Sequence, residues 1–373
     1  MKFIFACGGT AGHINPALAV ADRLRRAVPD AEILFIGAAG MMETELVPRE
    51  GYPIRTVEIS NLSRSLSFAG LRHNLHTAKT VLTATRAAKG IIREFGPDAV
   101  IGTGGYVCYP ALRAAHELGV PTLVHESNAV PGLTTKMLAG MVDCVMVGFA
   151  HVAGGYPRRA RVKYTGTPVR TEFSALTQAQ AREKLGVPAD KPLLLSVWGS
   201  LGSGHINAMM PEFAALCCEK QEFTLLHSAG RRGYARLAAE MAGLGLSDAA
   251  ARGAEIREYI YDMGTAMTAA DCVMCRSGAA TLSELQLLGK PALLVPSPNV
   301  TNHQQERNAE ALAESGAAAL LREGEFDAAG LYDAAAALLR DREKLAGMAL
   351  AMRDGGVPDA ADRIASLVLD FVK

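Results

Sequence analysis

No charge of one sign predominates in this sequence: 38 Lys+Arg stand against 38 Asp+Glu in 373 residues. A nucleic-acid partner, which calls for a basic excess, is therefore not expected. Long apolar runs are missing as well. Only Lys2 precedes the short run Phe3-Ile4-Phe5-Ala6-Cys7, and glycines follow at once, so neither a signal peptide nor a membrane span is predicted there or later. The expected location is the cytoplasm. The cysteines form no framework: Cys7, Cys108, Cys144, Cys217, Cys218, Cys272 and Cys275 are an odd, scattered set that suits reduced, buried thiols. Cys272 and Cys275 make a CxxC, but residues so spaced on a strand point to opposite faces, which argues against a shared metal.

What is present is a steady alternation of patterns. A chain of 373 residues, 49% hydrophobic and 20% charged, is long enough for two globular domains. Short apolar runs at Lys2–Ala6, Glu32–Ile36, Ala99–Ile101, Thr122–His125 and Cys144–Val147 read as strands, separated by amphipathic stretches such as Asn15–Ala27. Val152–Arg170, rich in Gly, Pro and Arg, reads as a linker. The pattern resumes with strands Leu193–Val197, Phe223–His227, Cys272–Cys275 and Ala292–Val295 and helices Ile206–Cys218 and Ala280–Leu288. This alternation predicts an α/β protein of two doubly wound, Rossmann-like domains, 1–165 and 166–356, with ligand between them at the C-terminal ends of the strands. A C-terminal helix at 357–373 is expected to return to the first domain. The tetrapeptide Gly12-His13-Ile14-Asn15 recurs as Gly204-His205-Ile206-Asn207, which supports two similar domains. Residues 1–165 hold 18 basic and 12 acidic side chains, the remainder 20 and 26, so the first half suits an anionic surface or ligand.

Three glycine-rich turns each follow an apolar strand: Gly8-Gly9-Thr10-Ala11-Gly12-His13, Gly102-Thr103-Gly104-Gly105-Tyr106 and Gly199-Ser200-Leu201-Gly202-Ser203-Gly204. Glycine lets backbone N–H groups approach an anion, and a following helix start adds a favourable partial charge. Three such loops point to phosphate-bearing ligands. A dehydrogenase fingerprint fails, because its glycine offsets fall on Gly8, Thr10 and His13, and no loop carries a Walker lysine. Further on, Cys275 to Glu284 reads as strand, turn and helix start. Ser277 or Gly278 is expected to cap, leaving N–H groups from Ala279 onward for phosphate. Glu284, one turn beyond Thr281, is placed to accept from ribose hydroxyls. Past Pro296-Ser297-Pro298, the loop ends in His303-Gln304-Gln305, whose amides suit sugar hydroxyls.

Together GGTAGH, GTGGY, HESN at His125–Asn128, TPVR at Thr167–Arg170, CRSGAATLSE and HQQxxN run in order over essentially the whole chain. The set resembles the MurG family, bacterial GT-B transferases that add N-acetylglucosamine to lipid I in peptidoglycan synthesis. Ala11, Ser127, Thr167 and the stretch Ser200–Ser203 depart from the residues common there. The resemblance implies a GT-B fold and a metal-independent, cofactor-free, inverting transfer from UDP-N-acetylglucosamine to the 4-hydroxyl of N-acetylmuramoyl, giving lipid II. By matching position, Ile260 would meet uracil through its backbone and Glu284 the ribose. Ala279, Ala280, Thr281, Leu282 and Ser283 would line the nucleotide, and Asn128, Gln304 and Gln305 the donor sugar. Thr10, Ala11 and Gly12 would lie near the diphosphate and acceptor, with Gly104, Gly105 and Tyr106 on the acceptor. No Asp-x-Asp is present, so leaving-group charge falls to loop N–H groups, Ser200 and Arg170.

The candidate bases are His13 and Glu126. Imidazole takes a hydroxyl proton near neutral pH, but His205 occupies the analogous place in the second domain, and only the resemblance favours His13. Another GT-B glycolipid transferase and a non-catalytic nucleotide-sugar-binding protein fit the same residues. Finally, Ile59 to Arg93 holds no Asp or Glu, whereas Arg64, Arg72, Lys79, Arg86, Lys89 and Arg93 are basic. Four of these, Arg72, Lys79, Arg86 and Arg93, recur at heptad spacing and would form one stripe of a continuous helix. Leu71, Leu75, Ala78 and Leu82 adjoin it, with Leu66 and Phe68 ahead. The expectation is peripheral docking on an anionic membrane, at the cytoplasmic face where a lipid-linked acceptor would be met.

Overall fold

The structure is a computed structural model that describes residues 1–59, 68–170, 176–199, 202–300 and 303–372, with the backbone alone at 68–79, 151, 153 and 154. It contains two compact units: Met1–Arg170 with Val357–Lys373, and Thr171–Gly356.

The first unit is built on a parallel sheet of β1 (Lys2–Cys7), β2 (Glu32–Ala38), β3 (Ile54–Val57), β4 (Ala99–Gly104), β5 (Thr122–Glu126), β6 (Cys144–Val147) and β7 (Val162–Tyr164). Its strand order is β3-β2-β1-β4-β5-β6-β7. The central strands are apolar on both faces because helices cover both, as parallel sheets require. On β1, Phe3, Phe5 and Cys7 pack with Ile14, Leu18 and Leu24 of helix Ala11–Ala27, while Ile4 and Ala6 pack on the other face with Ala84, Ala88 and Ile92. The C-terminal helix Ala360–Phe371 buries Ile364, Ala365 and Val368 in the former layer.

The second unit repeats the plan with β8 (Leu193–Val197), β9 (Thr224–Ser228), β10 (Ala254–Arg257), β11 (Cys272–Cys275), β12 (Ala292–Leu294) and β13 (Ala318–Leu320), in the order β10-β9-β8-β11-β12-β13. Cys272 and Cys275 are both buried but belong to opposite layers, Cys272 beside Met274 and Cys275 beside Val273. All seven cysteines are free and buried.

The stretch expected as a linker is not one. Val152–Arg170 contains β7, and its continuation stays in the first unit: His125 Nε2 donates to the Gly166 carbonyl at 2.9 Å, and Arg170 makes a forked pair with Glu50 at 2.9 Å on each arm. As an edge strand with exposed Lys163 and Tyr164, β7 carries no apolar period to read. The short edge strands β3 and β10, with Arg55, Glu255 and Arg257 among few apolar residues, escape sequence reading for the same reason. Among the described residues no helix is long and apolar enough to cross a membrane.

Tyr332, fully buried, stacks on Phe223 at 5.1 Å between ring centroids and meets Phe213 edge-on at 5.5 Å. Its hydroxyl has no hydrogen-bond partner among the described residues, so it carries a desolvation cost that the ring does not. Tyr332→Phe is expected to leave stability unchanged or raise it by about 1 kcal/mol, whereas Phe213→Ala should cost roughly 3–5 kcal/mol. Denaturant unfolding decides; a Tyr332→Phe variant clearly less stable than wild type would mean that the hydroxyl has a partner after all.

Candidate functional site

In the first unit the strand order reverses between β1 and β4, and the loops leaving such a switch point at the C-terminal edge are where doubly wound sheets bind ligands. Those loops are Gly8–His13 and Gly104–Tyr106. Gly9, Gly104 and Gly105 take φ of 85°, 121° and 90°, values that disfavour a side chain. Space is equally restrictive: a Cβ on Gly104 would stand 2.3 Å from the His13 ring, and one on Gly105 2.4 Å from the Gly8 carbonyl oxygen. The two loops therefore close on each other, with Gly8 N–H donating to the Gly104 carbonyl at 3.2 Å.

His13 sits in the first turn of helix Ala11–Ala27, whose cap residue Thr10 makes no side-chain cap bond. Its Nδ1 lies 3.0 Å from the Gly8 carbonyl and 3.4 Å from Thr10 Oγ1, and its backbone carbonyl accepts from Thr103 Oγ1 at 2.7 Å. A carbonyl only accepts, so the neutral ring carries its proton on Nδ1 and presents an unprotonated Nε2. Of the two base candidates, this geometry suits His13. Glu126 is 5% exposed and its oxygens accept from Asn128 N–H, Asn128 Nδ2, Gly132 N–H and Thr135 Oγ1 at 2.8–3.0 Å. Such a carboxylate orders its loop and aligns Asn128; it is not placed as a free base. Arg170, expected at a leaving group, has both arms on Glu50. Tyr106 is 46% exposed beside Gly105.

The second unit has its reversal between β8 and β11. Ser200, in the loop after β8, lies outside the described residues. After β11, helix Ala279–Leu288 begins at Gly278 with no side-chain cap, so its first N–H groups are left for a ligand or water. Ser277 does not cap: its hydroxyl donates to the Gln305 carbonyl at 2.6 Å. Within that helix Ala280 and Thr281 are half-buried, Leu282 is core with its N–H on the Gly278 carbonyl at 3.0 Å, and Ser283 Oγ donates back to the Ala279 carbonyl at 3.0 Å. The backbone donors left for a ligand are therefore those of Ala279, Ala280 and Thr281 and not those of Leu282 and Ser283. Glu284 is half-buried and has no hydrogen-bond partner among the described residues; burial pushes its carboxyl up to about 8. Gln305 Oε1 accepts from Ser297 N–H at 2.9 Å, which fixes the loop beside Gln304. Ile260 is 3% exposed in the loop between β10 and helix Met263–Ala269.

Three groups here escaped sequence reading. Glu43, from the unremarkable run Met42-Glu43-Thr44, is fully buried and accepts from Gly9 N–H at 3.0 Å. Arg276 gathers Ser203 Oγ at 2.9 Å, the Val295 and Pro296 carbonyls at 3.0 and 3.2 Å and the Glu323 carboxylate, tying the loops after β8, β11 and β12. Asn207, in the repeated tetrapeptide, accepts from buried His227 Nε2 at 3.1 Å and donates to the Ala229 carbonyl at 2.8 Å. His205 itself is exposed. Among the described residues no cluster of three or more His, Cys, Asp and Glu is placed to hold a metal ion.

Residues 3–147 match the glycosyltransferase family 28 N-terminal domain and residues 194–364 its C-terminal domain. The chain is 39% identical over 373 residues to the UDP-N-acetylglucosamine--N-acetylmuramyl-(pentapeptide) pyrophosphoryl-undecaprenol N-acetylglucosamine transferase of Acetivibrio thermocellus, spanning 100% of this chain and 99% of that one. It is 41% identical over 368 residues to the protein of the same name from Desulforudis audaxviator, spanning 99% and 98%. The crystal structure of Acinetobacter baumannii MurG superposes with a TM-score of 0.75 at 29% identity, covering 99% of each chain. The calicheamicin glycosyltransferase CalG4, at 15% identity and a TM-score of 0.68, shares the fold.

Proposed function

The chain belongs to glycosyltransferase family 28, with the GT-B fold, and we propose that it catalyses the reaction for which its full-length relatives are named. It moves N-acetylglucosamine from UDP-N-acetylglucosamine to the 4-hydroxyl of N-acetylmuramoyl in lipid I, giving lipid II. The observation that carries the mechanism is the His13 ring, anchored at Nδ1 and open at Nε2 on the loop after β1. Nε2 takes the proton of the 4-hydroxyl while that oxygen bonds to the anomeric carbon. The bond from that carbon to the UDP oxygen breaks, UDP leaves with the electron pair, and the anomeric centre inverts.

The second unit holds the donor. The free backbone N–H groups of Ala279, Ala280 and Thr281 meet the diphosphate, with the Ser200 hydroxyl as a further donor to it. Glu284 accepts from the ribose hydroxyls, Ile260 meets uracil through its backbone, and Gln304 and Gln305 meet the sugar. In the first unit Asn128, aligned by Glu126, meets the donor sugar. Thr10, Ala11 and Gly12 face the diphosphate and acceptor, with Gly104, Gly105 and Tyr106 on the acceptor. Arg170 is left out, because its fork is occupied by Glu50.

A lipid-linked acceptor also requires a membrane surface, and helix Phe68–Phe95 is the proposed contact. Ala84, Ala88 and Ile92 face the core, whereas Leu82 is 54% exposed and Arg86 and Arg93 are exposed with it. So Leu82 does not join the core, and it lies with basic residues as a cytoplasmic-leaflet surface would demand. Lys89 pairs with Glu117. The side chains of Leu71, Arg72, Leu75, Ala78 and Lys79, and all of Arg64 and Leu66, lie outside the described residues, as does the Phe68 side chain.

Label transfer from UDP-N-acetylglucosamine to a lipid I analogue tests the activity, and His13→Ala should lower kcat by roughly 10²–10⁴-fold with donor KM little changed. Full activity in that variant would move the base elsewhere; no transfer by wild type would sink the assignment. Glu284 gives a pH dependence. Ribose hydroxyls donate to a carboxylate, yet burial raises the Glu284 carboxyl to about 8, so binding near neutrality must expel its proton. UDP affinity should therefore rise about tenfold per pH unit below 8 and level off above it. Titration calorimetry across pH should find Glu284→Gln weaker and flat; a flat wild type removes Glu284 from the ribose. For the membrane, wild type should sediment with anionic vesicles at low salt and release at high salt, and Arg72→Glu/Lys79→Glu/Arg86→Glu should stay in solution. Equal sedimentation of both proteins would exclude this helix as the contact.

A further inference from the structure

Glu43 opens helix Glu43–Arg49 and is 0% exposed. One carboxyl oxygen accepts from Ala38 N–H, at the end of β2, at 2.9 Å; the other accepts from Gly9 N–H at 3.0 Å. Both oxygens thus face donors, which is the arrangement of a carboxylate. No Lys or Arg pairs with it among the described residues. A buried, uncompensated negative charge is costly, and its field falls on what lies nearest.

One of the two peptide units that Glu43 faces joins Gly8 to Gly9. Its N–H donates to Glu43 Oε2, and its carbonyl, on the other side of the same plane, accepts from His13 Nδ1 at 3.0 Å. Hydrogen bonds in series polarise one another, so a peptide drawn on by a carboxylate at its N–H is a better acceptor at its oxygen. We propose that Glu43 is a positioning residue for His13, acting through this single peptide bond as the carboxylate of a catalytic triad acts directly. The proposal rests on the reading of His13 as the base.

In this arrangement the hydroxyl proton goes to Nε2, the Nδ1 proton stays where it is, and Glu43 takes none. Its effect is to fix the tautomer and to favour the imidazolium that forms, since a charged donor binds the polarised carbonyl more strongly. The space for it is made by glycines. A Cβ on Gly8 would stand 2.3 Å from Glu43 Oε1, and one on Gly37 2.6 Å from its Cγ. Neither glycine has a positive φ, so clearance for the carboxylate, not backbone freedom, is what they supply.

The test is steady-state transfer to a soluble lipid I analogue by Glu43→Gln, His13→Ala and the double variant. The isosteric amide can satisfy only one of the two N–H groups as acceptor. Expected for Glu43→Gln are wild-type donor KM, a kcat lower by roughly 10–100-fold, as for other groups that orient an imidazole from behind, and an acidic limb of the kcat/KM profile moved to lower pH. Adding Glu43→Gln to His13→Ala should cost nothing more, because the pathway runs through the ring. Multiplicative losses, or a lower rate with the limb unmoved, would reduce Glu43 to a structural residue. Should Glu43→Gln fail to fold, Glu43→Asp is read the same way, with an intermediate rate and limb expected and an unmoved limb overturning the proposal. If His13→Ala is fully active, the base reading falls and this proposal with it. If His13→Ala is impaired and Glu43→Gln is not, this proposal alone falls.

Discussion

The peptide between Gly8 and Gly9 is gripped from both sides, by a buried carboxylate at its N–H and an imidazole at its carbonyl. Such a grip demands that backbone, side chain and neighbouring loop approach more closely than any Cβ permits, which is why Gly8, Gly104 and Gly105 converge there. It also demands a rigid base. β1 supplies it: five of its six residues are buried, and it pairs with β2 and β4 on either side. The irregularity at Ala6/Cys7, where pairing with β4 slips, is the point at which the strand turns from sheet into loop.

The second unit repeats the topology but solves the same problem with a cation. Arg276, over the Trp198 ring at 5.4 Å and joined to Ser203, Glu323 and two carbonyls, holds the loops after β8, β11 and β12 in one arrangement. A guanidinium has a fixed fork of donors and no acceptor, so it suits a place where several carbonyl and hydroxyl oxygens meet. The uncapped start of helix Ala279–Leu288 lies immediately after this clamp. An anion-binding helix end is useful only if it does not wander, and Arg276 together with the Ser277–Gln305 bond restrains it.

Central strands were legible in the sequence because burial on both faces leaves a continuous apolar run, as in Leu193–Val197. Edge strands were not: Ile54–Val57 and Ala254–Arg257 each carry charge among few apolar residues, so neither period nor run stands out. Glycine loops were legible through composition. Their supports were not, because Glu43 lies 34 residues from Gly9 and Asn207 lies 20 from His227, and nothing local announces either pairing. Glu43 looks like an ordinary solvated glutamate at a helix start. The pairing of Arg170 with Glu50, 120 residues away, is equally invisible in the sequence.

Histidine roles, undecidable from spacing, are separated by which ring nitrogens the protein already uses. His227 is fully buried between Ser196 Oγ at 2.8 Å and Asn207 Oδ1 at 3.1 Å. Trp198 donates to Ser196 and Asn207 donates to Ala229, so the chain of donors runs one way and leaves Nε2 protonated, Nδ1 accepting. Burial then pushes His227 down to about 3. His125 is likewise enclosed by Ser127 Oγ and the Gly166 carbonyl, and burial lowers it too. Both rings are saturated and have nothing to offer a substrate. His205 is exposed without a partner among the described residues, so nothing holds its ring in one orientation. Of the histidines that open helices after the glycine-rich loops, His13 has its ring fixed at Nδ1 and no partner at Nε2 among the described residues, the combination on which the proposed proton abstraction rests.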